Sequence, residues 1–498
     1  MTYGQPSPST PTLVATRLYL ALCAFLSIGC ANLPPPAAPP PHPAPLSGLD
    51  YRVGYDPAAK RLAVELCFHG QPPERLVYGS KSAVPFLREP LLIEPPLGRA
   101  RPVRVEANHL QLGAAAADSC VRYGVDVQRA LDVDALMLAY PGERSLLLGS
   151  ELFLWRPPLR SLELQSRLRF ELPAGVRVSA PWALSPAQDG SYVLDERAFA
   201  FTGHVVLGEL EALSIPAPGT QLRATIMPGF SDHARAQIAA WLERSAAIAS
   251  LPGGVFPVPD AQVIVVPTSL SSFPIHFGHT GRSGGASIVL FVPTDVEQVR
   301  LQDDWIAIHE FSHLWHPFIR REDAWLSEGL ATYLQEVLRV RAGLLPAELA
   351  WQRLYEGAEL GRDSARTLQE ETRRMPFEHN YQRVYWAGAA IALMLDVELR
   401  QRSQGAVSLP QLLARLRSDA RLFSRAVSAE ELLRELDRLS GLPLCEALAA
   451  RHVHGTLPDL DGLYQQLGIR VQAGAEHVSA PLTWVRDAIM EKPTAAGG

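Results

Sequence analysis

His309-Glu-Phe-Ser-His313 stands in the segment DDWIAIHEFSHLWHPF, and His316 follows three residues later. On an α-helix, residues four apart lie on one face a turn apart. His309 and His313 can therefore aim both imidazoles at one ion. A catalytic Zn2+ takes three protein ligands and leaves a fourth position to water. Glu310 lies beside that position on such a helix. Its carboxylate can take a proton from a water whose pKa the metal has lowered toward about 7. The chemistry expected is hydrolytic attack on an amide carbonyl, with His309 and His313 as metal ligands and Glu310 as general base.

Two residues compete for the third ligand position. His316 falls on the same helical face, but His309 and His316 would lie about 10 Å apart along a straight helix axis. Zn–N bonds are about 2 Å long, so one ion cannot bridge that span. Pro317 also disfavours helical geometry at His316. His316 is thus expected at the helix end, where a protonated imidazole suits the dipole. The other candidate is Glu328, in AWLSEGLATYLQ. A second helix packed back on the first would return Glu328 to the histidines. Alternatively, Glu328 is a surface carboxylate near a helix N-terminus, where negative charge is favourable in any case.

The elements that must hold these residues follow from the hydrophobic pattern. From about Leu49 to Leu213, short alternating runs such as RLAVELCF, SCVRYGVDV and SLELQSRLRFELP are separated by Pro and Gly. They predict an all-β, sandwich-like domain. IPAPG near Ile215 reads as a linker. SDHARAQIAAWLERSAAIAS predicts a helix, AQVIVVPT a strand, HFGHTGRSGGA a glycine-rich loop and SIVLFVP a second strand. The histidine helix comes next, then a helix from about Asp323. From Pro346 onward the three- and four-residue periodicity is almost wholly helical. The expected organisation is a β domain over 49–215, an α/β domain over 216–345, a helical domain over 346–471 and a tail over 472–498.

The first 48 residues are read apart from the fold. LYLALCAFLSIG after Arg17 has the length of a signal-peptide core and is too short to span a bilayer. A signal over 1–29 ends at Leu26-Ser-Ile-Gly-Cys30, which resembles a bacterial lipobox with Cys30 as the lipidated residue. A plainly cleaved secretory signal is the alternative. The proline-rich stretch over 30–48 would form a stiff spacer. The protein is then expected at the cell envelope, held to a membrane through a lipid anchor, as an outer-membrane lipoprotein facing the periplasm or cell surface. In an exported chain, Cys67 and Cys120 can form a disulfide or remain two buried thiols. The 498 residues are 47% hydrophobic and 20% charged with net charge −6. With no basic run or aromatic–basic interleaving, nucleic acid is not an expected partner.

H-E-x-x-H followed by a helix bearing WLSEG-x-A-x-Y resembles the gluzincin zinc metallopeptidases, closest in pattern to the glycyl aminopeptidase and aminopeptidase N families. VYWAGAAIALMLDVELRQRSQGAVSLPQLLARL is similar to a downstream glycyl aminopeptidase segment, and the β-rich front half resembles that family's N-terminal domain. The resemblance implies a thermolysin-like catalytic domain and hydrolysis of a peptide substrate. It also implies Zn2+ held by His309, His313 and Glu328. Tyr385 matches a tyrosine that hydrogen-bonds the tetrahedral intermediate, with Tyr381 as the fallback. Gly284, Gly285 and Ala286 lie where the families have a substrate-binding loop and strand. Three departures stand out. Only fourteen residues separate His313 from Glu328, Ala387 replaces a lysine, and SGGASIV lacks the glutamate that binds a free amine. No PDZ-type module is expected. A catalytically inactive, partner-binding lipoprotein on the same fold is the alternative reading.

Overall fold

The computed structural model describes residues 44–491, apart from 78–82, 134–136, 159–163, 271–274, 296–300, 363, 456–458 and 472–473. The expected signal, Cys30 and most of the proline-rich stretch lie outside the described residues. No described helix is long and apolar enough to cross a membrane.

Strict alternation builds the first layer. Along Arg61–His69 the side chains of Leu62, Val64, Leu66 and Phe68 turn inward, and their neighbours face outward. Seven strands form one sheet, in the order Tyr192–Leu194, Gln165–Glu171, Gly48–Asp56, Arg61–His69, Cys120–Asp126, Leu87–Glu94 and Arg99–Pro102. Cys67 and Cys120 face each other across two of these strands and are joined as a disulfide. A four-stranded sheet lies behind, in the order Arg177–Ser179, His204–Gly208, Ser145–Gly149 and Ala139–Pro141. Trp155 and Trp182 are fully buried in the shared core. Ser145–Gly149 and His204–Gly208 are buried on both faces. Leu147 and Val206 turn away from that core, onto Ile264, Val289 and Phe291 of the next sheet.

That next sheet has five strands, in the order Ala212–Ala217, Thr220–Ile226, Ala261–Thr268, Ala286–Pro293 and Phe277–Gly281. Two sequence expectations change here. IPAPG is not a linker. Ile215 is buried in the outermost strand, and the turn that follows closes a hairpin. The glycine-rich segment is not simply a loop, because Phe277–Gly281 pairs antiparallel with Ala286–Pro293 as the opposite edge. Two glycines, a histidine and a threonine in five residues conceal a strand that tertiary pairing imposes.

The helices pack on this sheet and on one another. Ser231 caps Asp232–Ala249. Ile306–Ser312 is buried on every side, its polar residues His309, Glu310 and Ser312 included. Ala324–Arg341 crosses Tyr381–Arg402 at two glycines. A Cβ on Gly329 would lie 2.3 Å from the Gly388 carbonyl carbon, and one on Gly388 would lie 2.1 Å from the Trp325 carbonyl oxygen. Only hydrogen fits at this crossing. Further along, the Tyr333 hydroxyl donates to Asp396 at 2.6 Å, and Arg400 lies 3.2 Å from the same carboxylate. The second Asp396 oxygen accepts from the Leu409 amide, which joins the next helix to the pair.

Candidate metal centre

Asp304 starts the histidine helix. Its two carboxylate oxygens accept from the amides of Ile306 and Ala307, both at 3.0 Å. Burial pushes the Asp304 carboxyl up to about 6. The helix then presents His309, Glu310 and His313, all nearly inaccessible. It gives way at His313 to a short 3₁₀ turn, and His316 is extended, as the following proline requires.

Glu328 comes back to this face from the Ala324–Arg341 helix. Its Oε2 lies 3.2 Å from His309 Nε2 and 3.5 Å from His313 Nε2. Two ligands on a tetrahedral Zn2+, each about 2.0–2.1 Å from the ion, stand about 3.3 Å apart. The observed separations fit that edge length, and two imidazole nitrogens with one carboxylate oxygen suit zinc chemically. Glu310 also brings an oxygen within 4.8 Å of both imidazoles. It is otherwise engaged, because the Thr280 hydroxyl lies 2.8 Å from both its Oε2 and its backbone carbonyl.

The charges agree with this division. Burial alone would lower the His309 imidazole, but the Glu328 hydrogen bond and the Glu310 charge outweigh it and raise it. Burial opposes ionisation of Glu328, yet His313 and His309 hold its carboxyl far below the ordinary range. Each imidazole is also fixed from behind. His309 Nδ1 donates to Gln335 Oε1 at 3.0 Å, and the Gln335 amide is oriented by its own donation to Glu336 at 2.8 Å. His313 Nδ1 lies 3.2 Å from the Ser327 hydroxyl, which can accept its proton when Nε2 faces a metal. Such outer partners set the tautomer that leaves Nε2 free for a metal. Sequence reasoning passed over Gln335, Ser327 and Thr280. For Gln335 a signal existed: it lies seven residues, two helical turns, beyond Glu328.

Tyr385 stacks on His309, with ring centroids 5.9 Å apart and planes within 11°. Burial, then the charges of Glu328 and Glu310, hold its phenol protonated, so it remains a donor at the site. Tyr381 sits one ring further out, 6.3 Å from Tyr385, and is 39% exposed.

His316 does not take the expected helix-end role. It is buried, its Nδ1 donates to the Pro317 carbonyl at 2.8 Å, and burial and the Arg282 charge hold it well below its ordinary pKa. A protonated imidazole at the helix terminus is therefore not what this residue supplies. The Arg282 guanidinium instead donates to the His313 carbonyl.

Gly284, Gly285 and Ala286 are not gathered at the metal centre. A Cβ on Gly285 would lie 1.9 Å from the Pro181 carbonyl, and one on Gly284 would press on Asp195 and Trp182. Both glycines let the hairpin dock on the β domain, and Ala286 begins the strand that follows. The strand beside Glu310 is Phe277–Gly281. A Cβ on Gly278 would come within 2.9 Å of Glu310 Oε1.

No family model and no curated protein sequence matches the chain. Solved structures do. The chain is similar to an aminopeptidase N family protein from Idiomarina loihiensis, with TM-score 0.68 and 17% identity over 85% of this chain and 79% of that one. It is similar to the M1 zinc metallopeptidase of Deinococcus radiodurans, with TM-score 0.53 and 18% identity over 83% of this chain and 95% of that one. Native yeast LTA4 hydrolase matches with TM-score 0.53 and 11% identity over 84% and 68%. The fold is that of these proteins: a β-rich N-terminal domain, a central α/β domain carrying the H-E-x-x-H helix, and a helical C-terminal domain.

Proposed function

We propose that the protein is a zinc-dependent peptidase. The observation that carries this reading is the convergence of His309 Nε2 and His313 Nε2 on Glu328 Oε2, with Glu310 held apart from them by Thr280. His309, His313 and Glu328 would hold the zinc. When bound, the metal supplies an acidified water and polarises the scissile carbonyl. Glu310 takes the proton of the attacking water and passes it to the leaving amine. Tyr385 donates a hydrogen bond to the oxygen that gains charge. The edge strand Phe277–Gly281, which pairs on one side only among the described residues, offers its backbone to an extended peptide. Its side chains include no carboxylate, so a free α-amine has no anchor on this strand.

The test is Glu310→Gln. It is expected to keep about one zinc per chain and to lose about 10²–10⁴-fold in peptide hydrolysis. Unchanged turnover would refute the mechanism, and wild-type protein that takes up no zinc would refute the metal assignment. Anchoring at the cell envelope through Cys30 is a further proposal and rests on the lipobox-like sequence. Mass spectrometry of the mature N-terminus decides between a lipidated Cys30 and a plain cleavage product.

A further inference from the structure

A cavity of about 540 Å³ opens beside the metal centre on the His309 side. Three of its lining residues touch His309. Trp305 meets it edge-on at 5.8 Å, Tyr385 stacks on it, and Gln335 accepts its Nδ1 proton. Trp305, Trp386, Leu345 and Leu349 make the walls apolar and aromatic.

The floor is different. It is built from Thr332, Glu336 and Arg339, successive residues along one face of the Glu328 helix, all at least 96% buried. Each has hydrogen-bonding capacity that the fold leaves unused: Thr332 Oγ1, Glu336 Oε2, and Arg339 Nε and one terminal nitrogen. Glu336 is held by charge at 3.5 Å from Arg339 and 3.7 Å from Arg353, distances too long for direct hydrogen bonds. Buried polar groups left in this state favour an occupant that completes them.

We propose that this cavity is a specificity pocket for a tyrosine side chain flanking the scissile bond. The proposal rests on the peptidase reading above and deepens it. Among the described lining residues, Asp303 and Glu336 balance Arg339 and Arg353. A charged side chain would therefore add an uncompensated charge to a buried site. A neutral tip is favoured. The indole walls suit an aromatic ring, which pairs well at about 4.5–7 Å between centroids. A phenol hydroxyl is both donor and acceptor. It can donate to Glu336 Oε2 and accept from Arg339, which a phenylalanine ring cannot do. A site built around a hydroxyl rejects the analogue lacking it, because its own polar groups stay unpaired.

Two measurements on the full chain test this. The first compares kcat/KM for matched peptides carrying Tyr, Phe, Gln or Ala at each position flanking the cleaved bond. At one position Tyr is expected to exceed Phe by at least about tenfold. Thr332→Val and Glu336→Gln should shrink that ratio, and Leu349→Trp at the half-exposed mouth should depress Tyr and Phe together while sparing Ala. The second is calorimetric binding of tyrosinamide and phenylalaninamide, which needs no turnover. Preferential tyrosinamide binding without hydrolysis of any peptide would keep the pocket and overturn the peptidase reading. Hydrolysis with equal rates for Tyr and Phe at both positions, as when water alone fills the floor, would overturn the pocket and keep the peptidase.

Discussion

The metal centre has two walls built on opposite principles. One is the helix pair that carries Glu328 and Tyr385. It is fixed by direct backbone contact at Gly329 and Gly388 and by the buried Tyr333–Asp396–Arg400 cluster. The other is the edge strand Phe277–Gly281 with its hairpin. It has one strand partner, and its hairpin is held by docking on the β domain, where Ser283 donates to the Ala198 carbonyl at 3.1 Å and Gly285 meets Pro181. The helix wall places Glu328 and Tyr385 against the histidines. The strand wall places Thr280 and Gly278 against Glu310. Rigidity is thus concentrated where geometry must match an ion, and the wall that would receive a variable peptide is held from outside.

Gly388→Ala attacks the first wall most directly. The added methyl must push Tyr381–Arg402 away from Trp325, and overpacking of this kind costs about 1–3 kcal/mol or more. Because Tyr385 lies one turn away and Glu328 is next to Gly329, kcat is expected to fall at least about 100-fold. Zinc titration and thermal melting of the variant check this, and a fully active variant would show that the crossing does not set the site.

Gln335→Leu acts on the same wall without moving a helix. Loss of the His309 partner is expected to weaken zinc affinity about 10–100-fold with little change in melting of the metal-free protein. Competition with a chelator reads it out.

Gly285→Ala strikes the second wall. Displacing the hairpin from Pro181 should raise KM several-fold while zinc stoichiometry stays at one per chain. Equal damage to zinc binding in this variant and in Gly388→Ala would erase the distinction between the walls.

A separate effect, on stability with pH rather than on the site, concerns Asp304, which anchors the histidine helix between the two walls. Its folded pKa, about 6, lies above the ordinary value of 3.8. A raised folded pKa means that its contribution is fully present below about pH 4 and is lost as pH rises through about 6. Relative to Asp304→Asn, the wild-type protein should lose on the order of 2–3 kcal/mol between pH 4 and pH 7. Denaturant melts at the two pH values measure the difference.

The two walls also differ in how far the chain announces them. In DAWLSEGLATYLQ the helical period is plain, and the helix runs over Ala324–Arg341. In HFGHTGRSGGA the residues carry weak strand preference, and the edge strand exists because Ala286–Pro293 offers it a partner. The glycines of this segment supply close approach at two different places. Gly284 and Gly285 approach the β domain, whereas Gly278 approaches Glu310. IPAPG shows the same limit, since Pro and Gly mark a turn equally well in a linker and in a hairpin.

By itself the sequence determined the spacing that puts His309 and His313 on one helical face, because the α-helical period is local. It determined the break at His316 too, since proline restricts the residue before it. It also determined which side chains are apolar, and hence the broad order of β layers and helices. Only the tertiary structure decided that Glu328 lies within 3.5 Å of both imidazoles, that Gln335 and Ser327 stand behind them, and that Thr332, Glu336 and Arg339 floor a cavity. Those relations depend on how the Ala324–Arg341 helix packs on the histidine helix, and its crossing with Tyr381–Arg402, set by side chains that are absent at Gly329 and Gly388, adds Tyr385 to the site. A missing side chain leaves no period to read, and its effect exists only once the second helix arrives.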